Sequence, residues 1–283
     1  MIRAYAVLEK EFYVTDVVSQ NELDDLSGKV EWLWVDCSDL DDKETMIIQG
    51  LLGIETKILS EIGKGSIHSS YEKCLDCTWI STPLVDLTNE LKLHPMSMIV
   101  NERFLVTLRN ERSSEVIESV IKTLKDFVAE GKKAKVCFVV SRLIHEMAVQ
   151  NSKSMVSFRE VIDRIEEEAL EKPRSKAVTH SVFKLKRLVS SLHRLLWVEK
   201  ELIADMKEGV IPHVKLTEEA KMIVDDAMDD INRELEFVDS YNGSLDSILT
   251  LQDLSLIHRV ERALLYLAVI TVVMDAFVII LSH

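Results

Sequence analysis

LTEEAKMIVDDAMDDINRELEFVDSYNGSLDSILTLQDLSLIHRVERALLYLAVITVVMDAFVIILSH, residues 216–283, is the stretch whose reading decides the fold. From Leu216 to Arg262 it reads as one acidic helix, with apolar residues at Ile223, Ala227, Ile231, Leu235, Val238, Leu245, Ile248, Leu249, Leu256 and Val260. Most of those steps are three, four or seven, the spacing of a single helical face. From Lys215 to Arg262 there are twelve Asp and Glu against five Lys and Arg, half of the whole chain's charge of −14. Ala263 to Leu281 then carries one charged side chain, Asp275. About twenty apolar residues is the length a helix needs to cross a bilayer. No Pro or Gly follows Gly243, so the two halves read as one rod of roughly 100 Å at 1.5 Å per residue. A stalk joined to a membrane span is the expectation. Its long apolar seam calls for partners.

Working outward, the 283 residues are 47% apolar, with only eight Gly and four Pro, which suits a helix-rich folded chain. The acidic balance argues against nucleic acid, which requires a basic footprint. The N-terminus lacks the basic and apolar regions of a signal peptide, so the domain before the span is expected in the cytosol. Arg259 and Arg262 sit on the N-terminal flank of the span, as the positive-inside rule asks of a cytosolic side.

The domain boundaries follow from pattern changes. Residues 1–130 mix strands with helices and predict an α/β or α+β unit. Strands are read at Arg3–Glu9, Glu31–Asp36, Glu72–Thr82, Ser97–Val100 and Phe104–Leu108, with a hairpin turn at Asn101-Glu102. Helices are read at Asp41–Leu52, Glu55–Glu61 and Glu115–Glu130. Residues 131–214 predict two long antiparallel helices, broken at Pro173 and again at Gly209 and Pro212. Residues 215–262 form the stalk helix and 263–283 the transmembrane segment.

Cys37, Cys74, Cys77 and Cys137 do not make a disulfide framework for a chain of this size. Cys74 and Cys77 are read as lying three apart on one strand, on opposite faces, unsuited to a redox or zinc pair. The eight His include no pair at i, i+4. No nucleophile elbow, Walker motif or dinucleotide fingerprint occurs, and nothing points to an enzyme.

Four stretches resemble the CorA magnesium transporter family. They are Ile162–Pro173 (IDRIEEEALEKP), Leu185–Met206 (LKRLVSSLHRLLWVEKELIADM), Asp225-Asp226, and the long helix entering a span. Order and spacing agree over about residues 130–280, and EWLWVD and NERFLVTLRNE agree more loosely. The resemblance implies an α/β/α cytosolic domain, a funnel of long helices and two spans per chain. It implies five chains around one pore that carries hydrated magnesium past a Gly-Met-Asn motif. It also implies regulatory divalent-ion sites between protomers. Gly-Met-Asn does not occur here, and Leu281-Ser282-His283 takes its place. The family's regulatory acid pair falls on Thr56 and Lys57, and its stalk partner on Met222. The Asn near the cytosolic pore mouth falls on Ile257, and the Pro of the first span on Val272.

Asp246 lines up with a pore-facing acid, and in a pentamer would make a carboxylate ring that attracts cations through their water shell. Asp225, Asp226, Asp229 and Asp230 pile like charge within two turns, a cost that a divalent ion shared with a neighbour would relieve. A solvated acidic face accounts for them equally. Asp275, with Thr271 one turn before it, would cost roughly 2.5–3.5 kcal/mol at a bilayer centre, which favours a pore or partner over lipid; a hydrated position near the outer interface accounts for it equally. The expected function is magnesium transport through a homo-pentameric pore in the cell membrane, with Mg2+ as substrate and possible regulator. The alternative is a membrane-anchored, non-conducting partner subunit of the same family.

Overall fold

A computed structural model of the chain describes residues 1–8, 11–17, 19–54, 56–74, 76–87, 91–172 and 175–281; side chains at 8, 56–58 and 275–281 lie outside that description. The segment with two Trp, EWLWVD, becomes the centre of the fold. Its strand β3 (Leu33–Ser38) is buried on both faces, as an inner strand must be when helices cover both sides. Around it lie β1 (Ile2–Leu8), β2 (Glu11–Asp16), β4 (Ser70–Cys74), β5 (Cys77–Asp86), β6 (Lys92–Val100) and β7 (Phe104–Arg109). The spatial order is β2-β1-β3-β7-β6-β5-β4, with β3 and β7 parallel and all other neighbours antiparallel.

The period of two divides the sheet cleanly. Ile2, Ala4, Ala6, Leu33, Val35, Cys37, Val106 and Leu108 form one face of the core. They pack with Leu23 of α1 (Gln20–Ser27), Ile48 of α2 (Asp42–Leu52) and Leu59 and Ile62 of α3 (Thr56–Lys64). The alternate residues Tyr5, Trp34, Asp36 and Thr107 are buried on the other face. There a polar chain runs through the sheet. Trp34 Nε1 donates to Thr107 Oγ1 at 3.1 Å, Thr107 Oγ1 donates to Asp36 Oδ1 at 2.7 Å, and Arg109 forks onto Asp36 at 2.8–3.2 Å. Every member has a partner, which is the condition under which a buried polar chain is tolerated.

Local chemistry sets the helix ends. Asp41 and Glu44 close a full capping box at the start of α2, and Gly53, at φ 64°, ends it in the left-handed region that suits glycine. The helix expected at Glu115–Glu130 is α4 (Ser114–Ala129), after a single 3-10 turn at Glu111–Ser113. The three long helices are α5 (Val136–Glu171), α6 (Lys176–Glu208) and α7 (Glu218–Leu281). The break expected at Pro173 lies outside the described residues. Gly243 makes no break, and α7 is continuous over 64 residues.

Packing gathers the chain into two compact units: Met1–Phe158 with Leu192–Glu236, and Arg159–Ser191 with Phe237–His283. Each long helix gives one part to each unit, so neither unit follows chain order as the 130, 214 and 262 boundaries do. In the first, α5 is fastened to the end of β5. Asn151 Oδ1 accepts from Val85 N–H at 2.8 Å, and Ser154 Oγ donates to Val85 O at 2.8 Å. In the second, Val182 and Val189 of α6 and Val238, Leu245 and Ile248 of α7 are buried. There Thr179 Oγ1 donates to Gln252 Oε1 at 3.0 Å.

Three local readings are corrected. Glu72–Thr82 spans two antiparallel strands, so Cys74 and Cys77 pair across them rather than pointing apart on one strand. Cys77 Sγ donates to Cys74 O, and burial pushes its pKa up to about 11, so it stays a thiol at neutral pH. Strand β2 and helix α1 were not expected. Their burial explains why: β2 is an edge strand without a buried position, and α1 buries only Leu23.

Candidate ion pathway on the long helix

Among the described residues, the acidic stretch of α7 divides by exposure. Ala220, Val224, Ala227 and Ile231 form the buried face, at spacings of three and four. Asp226 and Asp229 are exposed, while Asp225 and Asp230 are half-buried. The half-buried two already have cationic partners. Lys207 of α6 meets Asp225 at 2.6 Å, Arg233 meets Asp230 at 2.9 Å, and His145 of α5 lies 3.7 Å from Asp230. Burial lowers the His145 pKa, with Arg142 adding to the effect, and Asp230 opposes both. The like-charge pile is therefore relieved in part by side chains of the same chain. Among the described residues no three His, Cys, Asp or Glu converge as a metal-holding group.

Asp246 lies between the buried Leu245 and Ile248, on the outward side of the helix. Its side chain remains 62% exposed and is paired with Lys186 of α6. The Lys186 contact was not foreseen, because nothing in sequence links positions so far apart. Exposed pairs of this kind contribute about 0–1 kcal/mol, so Lys186 offsets the local charge without locking the carboxylate in place.

Beyond Gln252 the character of α7 changes. Leu254, Leu256, Ile257, Val260, Leu264, Leu265, Tyr266, Leu267, Val269, Ile270, Val272, Val273 and Met274 are all between 46% and 68% exposed. These positions surround the helix on every side. A helix apolar all round is stable only when something apolar covers it. Thr271 satisfies its hydroxyl donor within the helix, Oγ1 donating to Leu267 O at 2.9 Å. Asp275 falls within α7, and its side chain lies outside the description, as do the side chains of the rest of the expected span. Among the described residues no helix is long and apolar enough to cross a membrane. Ala263–Met274, where the side chains of the apolar run are described, spans twelve residues or about 18 Å at the helical rise, and α7 continues to Leu281. Thr56 and Lys57, where the family's regulatory acids would fall, lie in α3 with undescribed side chains. Met222, their counterpart on the stalk, is 64% exposed.

Comparison with known structures places this architecture. The soluble domain of CorA from Methanocaldococcus jannaschii matches at a TM-score of 0.69 and 16% identity, over 89% of this chain and 96% of that one. The complete CorA magnesium transporter from the same organism matches at 0.71 and 15%, over 94% and 80%. The full-length CmaX protein matches at 0.68 and 13%, over 96% and 82%. At these identities the likeness establishes the fold: a mixed α/β unit with long helices. A comparison with curated proteins finds no match. The profile described as CorA-like Mg2+ transporter protein matches residues 29–276, from just before β3 to within the last turns of α7. By that match the chain belongs to the CorA-like Mg2+ transporter family.

Proposed function

We propose that several copies of this chain, five by analogy with the family resemblance, set their α7 helices side by side in a cell membrane and pass a divalent cation, Mg2+, along the bundle axis. The N-terminal unit would sit on the cytosolic side. The observation that carries the reading is the uncovered apolar surface of α7 from Leu254 to Met274, which a bilayer and neighbouring copies would cover together. Thr271 and Asp275 would line the pathway, and Asp246 would form a carboxylate ring below it. Hydrated Mg2+ gives up water reluctantly, so the ring would act on its water shell. Of the four clustered acids, Asp226 and Asp229 are exposed and could meet a divalent ion held between copies.

A second reading is a membrane-anchored partner subunit that does not conduct. Lys186 favours it, because an ammonium on each Asp246 would cancel the charge of the ring. Uptake by liposomes containing the purified chain separates the two. Conduction gives Mg2+-dependent dye quenching that Lys186→Ala increases and Asp246→Asn reduces several-fold. An oligomer that inserts but shows no flux in wild type or in Lys186→Ala would refute conduction and leave the anchored subunit.

A further inference from the structure

Where α5, α6 and α7 meet in the first unit, two glutamates are buried, each against one of two consecutive residues of α5 and near enough for the charge of one to act on the other. Glu199 of α6 is 3% exposed and Glu234 of α7 is 0% exposed. Asn151 Nδ2 lies 3.5 Å from Glu199 Oε2, and Ser152 Oγ donates to Glu234 Oε1 at 2.6 Å. The other oxygens, Glu199 Oε1 and Glu234 Oε2, are buried with no hydrogen-bond partner among the described residues. Two ionised carboxylates with half of their oxygens unsatisfied would be among the most costly arrangements a core can hold.

Among the described residues no cation is bonded to either carboxyl, although the charge of Arg233 offsets part of the burial of Glu234. On α7, Arg233 is turned to Asp230. On α5, Arg142 is paired with Glu146 at 2.7 Å, and His145 faces Asp230. α6 presents Glu199 itself, and β5 presents the Val85 backbone. Asp230 adds negative charge. The surroundings also speak against a metal ion. The Asn151 carbonyl is occupied by Val85 N–H, so the amide turns its NH2 toward Glu199. Ser152 likewise turns its hydroxyl hydrogen inward. Donors, not oxygens, face the carboxyls, which leaves no ready ligand set for a metal; these two donors favour the ionised form, and burial outweighs them.

We propose that Glu199 and Glu234 form a proton-holding pair that fastens α7 to α5 and α6 when protonated and loosens that packing when the protons leave. The inference stands apart from the transport reading, since it concerns only the packing of the first unit. Burial raises both pKa values, Glu199 to about 8 with the charge of Glu234 adding to it, and Glu234 to about 7. The two titrate as a unit. The sign follows from linkage. The native chain keeps protons that the unfolded chain, at the ordinary 4.5, has released. Stability is therefore greatest at or below that pH. It falls as pH rises through about 7 to 8, and then levels off.

The test is urea unfolding of the full chain between about pH 5 and pH 9. It compares wild type with Glu199→Gln, Glu234→Gln and the double substitution. In wild type the unfolding constant should climb by up to about tenfold per pH unit for each proton held. The double variant should lose most of that climb and be the more stable of the two near pH 8. Infrared titration of wild type carrying isotope-labelled glutamate gives a second readout. A protonated glutamic acid band should be present near pH 6 and vanish by about pH 9. Parallel pH dependence in wild type and double variant would overturn the proposal, as would absence of that band. Stabilisation by Mg2+ that the double variant loses would also overturn it, making the pair a cation site. If the double variant does not fold, the infrared titration decides alone.

Discussion

Asp36 and Arg109 form an ion pair buried in the sheet, with side chains 4% and 7% exposed. Arg109 places its guanidinium on Asp36, on the Asn110 carbonyl and on Ser114 Oγ. Removing one partner strands a buried charge. Arg109→Met should therefore cost about 3–5 kcal/mol in urea unfolding, while Asp36→Asn with Arg109→Met together should cost less than the single change. Equal losses would mean that water already reaches the pair. None of this was visible in EWLWVD and NERFLVTLRNE beyond their strand character. The register that sets Asp36 beside Thr107 is a parallel pairing between segments far apart in the chain. The two buried glutamates were hidden for a related reason. At helical spacing a Glu reads as a solvated face, and only packing of three helices shows otherwise. The pairing of Cys74 with Cys77 escapes the sequence because Glu72–Thr82 reads as one strand, where the structure has two.

The long helix is the element the sequence described best. Its period, its acid bias and the absence of breakers all survive as one helix, Glu218–Leu281. Gly243 tests that continuity. A Cβ there meets nothing within 4 Å, and the backbone is ordinary helix. Gly243→Ala should stabilise the chain by about 0.5–1 kcal/mol, because alanine loses less freedom than glycine in a helix interior. Destabilisation would point to a hinge at that position. The contrast is Gly53, where φ is 64°. Gly53→Ala should cost about 1 kcal/mol, read as a lower thermal midpoint, since the left-handed conformation penalises a Cβ. What the helical period could not supply was partnership. Lys186 and Lys207 reach α7 from α6, across distances in sequence that no local pattern encodes. The candidate pathway was thus legible as a row of positions, Asp246, Thr271 and Asp275, and not as an electrostatic environment.

At the scale of the molecule, the family, the mixed α/β unit and the three long helices rest on the profile match and the shared fold. The chain packs its sheet and helix layer fully, yet leaves the last described turns of α7 bare. Apolar surface of that extent is favourable only out of water, at about 25 cal/mol per Å² covered. Copies of the chain and a bilayer are the covering proposed here. The mass of the protein in the complex formed with mild detergent, measured by light scattering with the detergent subtracted, tests this most directly. Five copies held together in detergent is the expected result, with Leu264→Glu and Ile270→Glu together dispersing them. A monomer that stays monodisperse in plain buffer, unchanged by those substitutions, would contradict it.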